Sequence, residues 1–173
     1  MIELKIDAAQ LTSALERLAR AAADASPVMR VVAGIMHEAV MQNFDQGGRP
    51  AWAGLKPATL AQKRKQGYSA TPLTRRGGGQ SLRSSITSQA DGNSAMVGTN
   101  VKYAAIHQFG GQTRPHVIRP KNKKALAFGG RVVRSVNHPG SNIPARPFLR
   151  LTDADEAKIV GKVSDYLRQV VGS

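Results

Sequence analysis

Any chemistry in this chain would have to start from its four histidines, because it has no cysteine and few acids in its middle. His37, His107, His116 and His138 show no HExxH pair and no other close metal-ligand spacing. A spatial pairing of His116 with His138 on a metal would lack a carboxylate nearby in sequence. Between residues 46 and 152 the only acid is Asp91, in an Asp-Gly turn. A two-metal nuclease centre would therefore have to borrow carboxylates from the chain ends, which argues against that enzyme class. The Ser and Thr hydroxyls have no convincing acid–base partner. Gly77-Gly78-Gly79-Gln80-Ser81 lacks the GxxxxGK[ST] pattern and a feeder strand, so nucleotide binding is rejected there. The residues predict no enzyme, no catalytic or metal-ligating set and no cofactor.

His107 lies in the stretch around which the chain is organised, Val97–Gly111, VGTNVKYAAIHQFGG. Tyr103, Ala104, Ile106 and Phe109 are expected to supply the apolar contacts of a short helix. Gly110-Gly111 should stop it in the left-handed conformation that glycine adopts without a Cβ penalty. His107 and Gln108 place two hydrogen-bonding side chains inside this segment. The simplest role for the imidazole is to brace the glycine turn.

The elements that position this stretch follow from periodicity. Ile2, Leu4 and Ile6 alternate with polar residues as a short strand, and Asp7 with Gln10 could box the start of a first helix. Ser26-Pro27 starts a second helix, a hydroxyl cap with proline at the first position. This helix runs to about Phe44 with Val28, Val32, Ile35 and Ala39 on one stripe and Val31, Met36, Val40 and Phe44 widening it. It is the main core helix. Trp52 reads as a core or loop anchor rather than a base-stacking platform. Pro57–Gln66 forms a short helix, and Leu82 and Ile86 resume apolar spacing as a helical turn. Asp91-Gly92 turns a hairpin into Ala95-Met96-Val97. Val117–Pro120 and Ala125–Phe128 read as two strands joined by Lys121–Lys124, and Arg131–Val136 as a third. Thr152 with Asp155 forms a capping box for a terminal amphipathic helix through Ile159, Val163, Tyr166, Leu167 and Val170. The fold class is α+β, an antiparallel sheet packed by N-terminal and C-terminal amphipathic helices, with long basic loops. Ile35, Ala39, Val163 and Leu167 should make most of that packing. One domain is expected over residues 1–173, with a flexible basic arm at 112–142.

Charge is segregated along the chain. Residues 1–45 carry four Lys/Arg against six Asp/Glu, residues 46–152 eighteen against one, and residues 153–173 three against four. All of the net +14 comes from the middle, as expected of a chain that meets a polyanion or an acidic surface. The candidate contacts are Lys102, Arg114, Arg119, Lys121, Lys123, Lys124, Arg131 and Arg134. Phosphate contacts from these side chains would position a nucleic acid without reading its sequence. The N-terminus MIELKIDAAQ has no basic-then-apolar leader, which argues against secretion, and no apolar run reaches membrane-spanning length.

Several motifs together carry a resemblance. They are Phe44–Trp52 (FDQGGRPAW), Thr59 with Lys63-Arg64, Leu73-Thr74 followed by Ser81–Ile86, and Val97–Asn100. Tyr103–Gly111 (YAAIHQFGG) and Ile143–Leu149 (IPARPFL) complete the series. In this order they resemble the phage virion morphogenesis family, Mu-like tail completion or neck proteins of tailed phages and prophages. The resemblance implies a noncatalytic structural or assembly component of a tail or head–tail junction. It would act late in morphogenesis, in the host cytoplasm and then in the virion, alongside tail or neck proteins and with no membrane. Neck and tail-end proteins commonly form sixfold rings, so self-association is implied by analogy. Trp52, Tyr103, His107, Gln108, Phe109, Gly110, Gly111, Arg146, Pro147 and Phe148 become the candidate structural or interface motif. The alternative reading is a nonspecific nucleic-acid-binding protein acting through the basic centre.

Overall fold

Helix α2 (Ser26–Gln46) is the element on which the first of two units is built. The computed structural model describes residues 8–74, 81–122, 124–128 and 130–172. The expected strand at Ile2–Ile6, the Asp7 cap, the Arg75–Gln80 loop and Lys123 lie outside the described residues. The first unit comprises residues 1–101 and 148–173, and the second residues 102–147.

In the first unit α2 buries Val28, Val32, Ala33, Ile35, Ala39, Val40, Asn43 and Phe44, a stripe at helical spacing. Val31, expected to widen that stripe, is 47% exposed. Pro27 occupies the first turn as expected, but the cap differs: Ser26 N–H donates to Asp24 Oδ1 at 2.9 Å, so Asp24 does the work assigned to the Ser26 hydroxyl. That contact, through the Ser26 hydroxyl and then its amide, lowers the Asp24 pKa.

Against α2 pack β1 (Thr87–Ala90) and β2 (Ala95–Gly98), an antiparallel hairpin registered Thr87↔Gly98 to Ala90↔Ala95. Its turn is closed by Asp91, whose carboxylate accepts the amides of Asn93 and Ser94 and the Ser94 hydroxyl. On α2 also packs α5 (Asp153–Gly172), and α1 (Ala9–Ala23) lies on α5. The hairpin is thus packed by α2, while α5, expected on the sheet, packs on helices α2 and α1. Leu167, expected in the packing, is 43% exposed. α3 (Pro57–Lys65) and a 3₁₀ turn at Arg83–Ser85 fall where the sequence places helical turns. Among the described residues no helix is long and apolar enough to cross a membrane.

The second unit holds α4 (Ala104–Phe109) and three short antiparallel ladders. β3 (Gly111–Gln112) pairs with β8 (Asn142–Ile143), β4 (His116–Ile118) with β7 (Val136–His138), and β5 (Leu126–Phe128) with β6 (Arg131–Val133). Gly111↔Ile143, Gln112↔Asn142 and His116↔His138 share one register, so the first two ladders are one ribbon interrupted at Pro115 and Pro139. Proline has no amide to give a ladder, which accounts for the break. The strands expected at 117–120 and 125–128 are present in shortened form, at 116–118 and 126–128, and each has a different partner from the other. Val117 pairs with Asn137, and Ala127 pairs with Val132 across a local turn. Phe128 pairs with Arg131 only three residues on, and such local pairing wins over the longer Lys121–Lys124 connection. The α+β class holds, with small antiparallel ladders in place of one broad sheet.

Candidate functional site

The best-determined site in the first unit is built by the segment that leaves α2 and the segment that enters α5. Asn43 is fully buried on the apolar stripe of α2. Its amide nitrogen donates to the carbonyls of Phe148 and Arg150, both at 2.8 Å, and its oxygen accepts Arg49 Nε at 2.9 Å. Arg49 then spends the rest of its guanidinium on Gln42 Oε1, the Ala39 carbonyl and both oxygens of Asp155. The Arg49–Asp155 pair closes at 2.9 Å with side chains only 16% and 11% exposed.

Asp155 belongs to the capping box read from the sequence. Thr152 N–H donates to its Oδ2 at 2.9 Å, and Asp155 N–H returns a bond to the Thr152 hydroxyl at 3.3 Å. Burial pushes the Asp155 pKa up, but the bonds from Thr152 and the Arg49 charge more than reverse this, so it lies below the ordinary value. The loop that delivers Arg49 has a cis Arg49-Pro50 bond and a buried Gly48 at φ 104°. A Cβ on Gly48 would meet the Trp52 ring and, at 2.6 Å, the Pro50 carbonyl. Around this polar centre Phe44 packs edge-on to Trp52 at 5.9 Å and against Phe148 at 5.4 Å.

In the second unit, the two most specific motifs are halves of one turn. α4 has only six residues, too few to hold itself. It is tied down where Arg146 N–H donates to the His107 carbonyl at 2.7 Å, after which Gly111 pairs with Ile143. Gly110 sits at φ 74°, ψ 178°, so the expected left-handed cap is instead an extended conformation of positive φ that glycine alone adopts readily. A Cβ there would stand 2.8 Å from the Ala145 nitrogen and 3.1 Å from the Ile143 carbonyl. Gly110→Ala should therefore cost about 1–3 kcal/mol. Amide exchange should show the loss as weakened protection at Arg146 and Gly111, with the α2 amides unaffected.

Tyr103 stacks edge-on against His107 at 5.9 Å. The His107 Nδ1 atom is shielded from solvent and has no hydrogen-bond partner among the described residues. Burial, and then the neighbouring Arg146 charge, push its pKa down. Burial also lowers the Arg146 pKa. The expected apolar contacts of this helix need correcting: Ala104 is buried and Ile106 half-buried, but Tyr103 is 48% and Phe109 79% exposed. A short helix has one inward face, and Phe109, five residues after Ala104, falls about 140° away from it.

The ribbon brings His116 and His138 together as a cross-strand pair, rings stacked at 5.1 Å. Their inner nitrogens are committed differently. His116 Nδ1 donates to the Arg114 carbonyl, since a carbonyl can only accept, while His138 Nδ1 accepts Gly140 N–H. No third His, Cys, Asp or Glu joins them among the described residues. Arg114 lies in this ribbon, Arg131 in the β5–β6 ladder, and Arg119, Lys121, Lys124 and Arg134 in the segments that join the two; all six are exposed, and Lys102 is exposed before α4.

Comparison with known proteins adds the decisive observation: residues 6–168 match the phage virion morphogenesis family. The chain belongs to the phage virion morphogenesis family. It is also similar to the Mu-like prophage FluMu G protein 2 of Haemophilus influenzae, 46% identical over 172 residues that span 99% of each chain. No solved structure matches it. Within this virion morphogenesis protein the sequence motifs divide by structural role. Trp52 and Phe148 join the core of the first unit, while Tyr103–Gly111 and Arg146 form the turn of the second. Gln108 and Pro147 are half-buried. Asn43, Arg49 and the Arg49–Asp155 bond escaped the sequence reading. The available signal was a polar Asn in line with the apolar residues of α2.

Proposed function

We propose that this virion morphogenesis protein is a noncatalytic subunit of a ring at the tail end or head–tail junction, acting late in assembly. Its membership of a virion morphogenesis family over nearly its whole length carries the reading. The similarity to a Mu-like prophage protein, also end to end, supports a phage or prophage setting. The exposed surface is consistent with assembly: α1 buries no residue, and Leu11 and Leu15 on it and Val160 and Val171 on α5 remain 42–65% exposed. A closed ring needs a heterologous contact, in which one face of a subunit binds a different face of the next. Exposed apolar residues on α1 and α5 suit such a contact.

The test is to delete the gene from an inducible phage and image the particles, with the tagged protein supplied in trans. Particles lacking the protein should have unjoined or incomplete tails, and infectivity should return with complementation. The tag should then decorate one level of the tail or neck in integer stoichiometry. Complete, head-joined and infectious tails without the protein would end the proposal.

A further inference from the structure

The second unit contains nine Lys/Arg and no Asp/Glu, so the basic side chains of its ribbon have no carboxylate to bind within the unit. Arg114, Arg119, Lys121, Lys124, Arg131 and Arg134 make no ion pair and no side-chain hydrogen bond among the described residues, and all are exposed. In the first unit several basic side chains are engaged, among them Arg17 on the Val170 and Val171 carbonyls, Arg49 on Asp155, Lys63 on the Thr71 and Thr74 carbonyls, Arg83 on Asp45 and Lys158 on Glu38. Holding six uncompensated cations in the second unit is electrostatically unfavourable unless a counter-charge arrives.

The described residues of a second copy would supply too little of it. Of the described carboxylates outside ion pairs, Asp24 and Asp91 already serve local amides and hydroxyls, which leaves Glu16, Asp153 and Glu156, three against six per chain. An acidic protein would also want an apolar centre to its contact. Of the exposed apolar residues of this region, Val117 and Ile118 are successive in β4 and so point to opposite faces, and Val132 lies on the separate β5–β6 ladder. Base stacking is equally unsupported, because His116 and His138 stack on each other. What remains is a dense, regular array of anions. A two-stranded antiparallel ribbon has the cross-section that the major groove of duplex DNA admits, and guanidinium groups suit phosphate geometry.

We infer that the ribbon of residues 111–143 is a sequence-nonspecific contact for duplex DNA, with Arg114, Arg119, Lys121, Lys124, Arg131 and Arg134 holding backbone phosphates. This goes beyond the assembly role and can fail without it. The test uses the full chain and a fluorescently labelled duplex, with anisotropy read across a salt series. With about six phosphate contacts, affinity should fall roughly 10³-fold between about 50 and 200 mM salt, and equally for two unrelated sequences.

The triple variant Lys121→Ala/Arg131→Ala/Arg134→Ala should lose about half of the logarithmic salt slope. Arg131→Lys/Arg134→Lys should keep the slope, and Arg168→Ala on α5 should not change it. Because the substituted groups are exposed, the melting transition should not move. If the triple variant nevertheless fails to fold, the single variants Lys121→Ala and Arg134→Ala should each lower the slope by about one. Absence of binding at low salt, or a slope untouched by these substitutions, would overturn the inference. So would polyglutamate displacing the duplex at equal charge concentration, which would assign the ribbon to an acidic protein surface.

Discussion

Arg49→Ala is expected to be among the most damaging single substitutions, lowering the unfolding free energy by about 3–5 kcal/mol and the melting temperature by on the order of 10 °C. Removing the guanidinium leaves Asp155 as an uncompensated, largely buried carboxylate. It also strips donors from the Ala39 carbonyl, Asn43 and Gln42. Asp155→Asn should cost less, because Arg49 keeps its bonds to α2 while losing only the carboxylate. The order Arg49→Ala worse than Asp155→Asn is what separates a multi-partner clamp from a simple ion pair, and equal losses would refute it.

The same centre fixes an acid limb of stability. The Asp155 pKa is lowered in the folded chain, so its contribution is fully present above the ordinary carboxylate value near 3.9. That contribution should fade as pH falls through the folded value. Urea midpoints of the native protein should therefore drop more steeply below about pH 4 than those of Asp155→Asn. Parallel profiles would show that the carboxylate is not the titrating group.

How far the sequence could be read depended on whether a feature was local. α2, the Asp91 hairpin, the Thr152–Asp155 box and α4 all announce themselves within a few residues, through helical spacing, an Asx turn or a reciprocal cap. The Arg49–Asp155 bond joins residues 106 positions apart, and no local rule pairs them. Asn43 was legible in principle, since a polar side chain in line with Ile35, Ala39 and Phe44 needs buried partners, but its partners are backbone carbonyls with no sequence signature. The ribbon was misread for a related reason. Its strands are short and two-sided, and register in such strands is weakly specified by pattern alone. The charge of the region was legible at once, whereas its grouping in one unit that holds no Asp or Glu was visible only in the folded arrangement.

The remaining large effect concerns which aromatic residues of the motifs carry the fold. Phe148 is fully buried against Phe44, itself fully buried and edge-on to Trp52. Phe148→Ala should cost about 3–5 kcal/mol, the transfer loss of the ring plus the cavity left between α2 and the segment entering α5. The Phe148 carbonyl also accepts from Asn43, so any shift of the backbone to fill the cavity would strain the Arg49 network, and collapse should be limited. Phe148→Leu should retain most of the stability. Combining Phe44→Ala with Phe148→Ala should fall short of the summed single losses by about 0.5–3 kcal/mol, because the two rings share one contact. Phe109, 79% exposed in the equally motif-rich YAAIHQFGG stretch, gives the opposite expectation: Phe109→Ala should leave stability within about 0.5 kcal/mol. Chemical denaturation of the five variants, the Phe44→Ala single variant included, measures all of this. A Phe109→Ala loss comparable to that of Phe148→Ala would mean that the ring is buried in solution, and the division of the motifs into core and surface would be wrong.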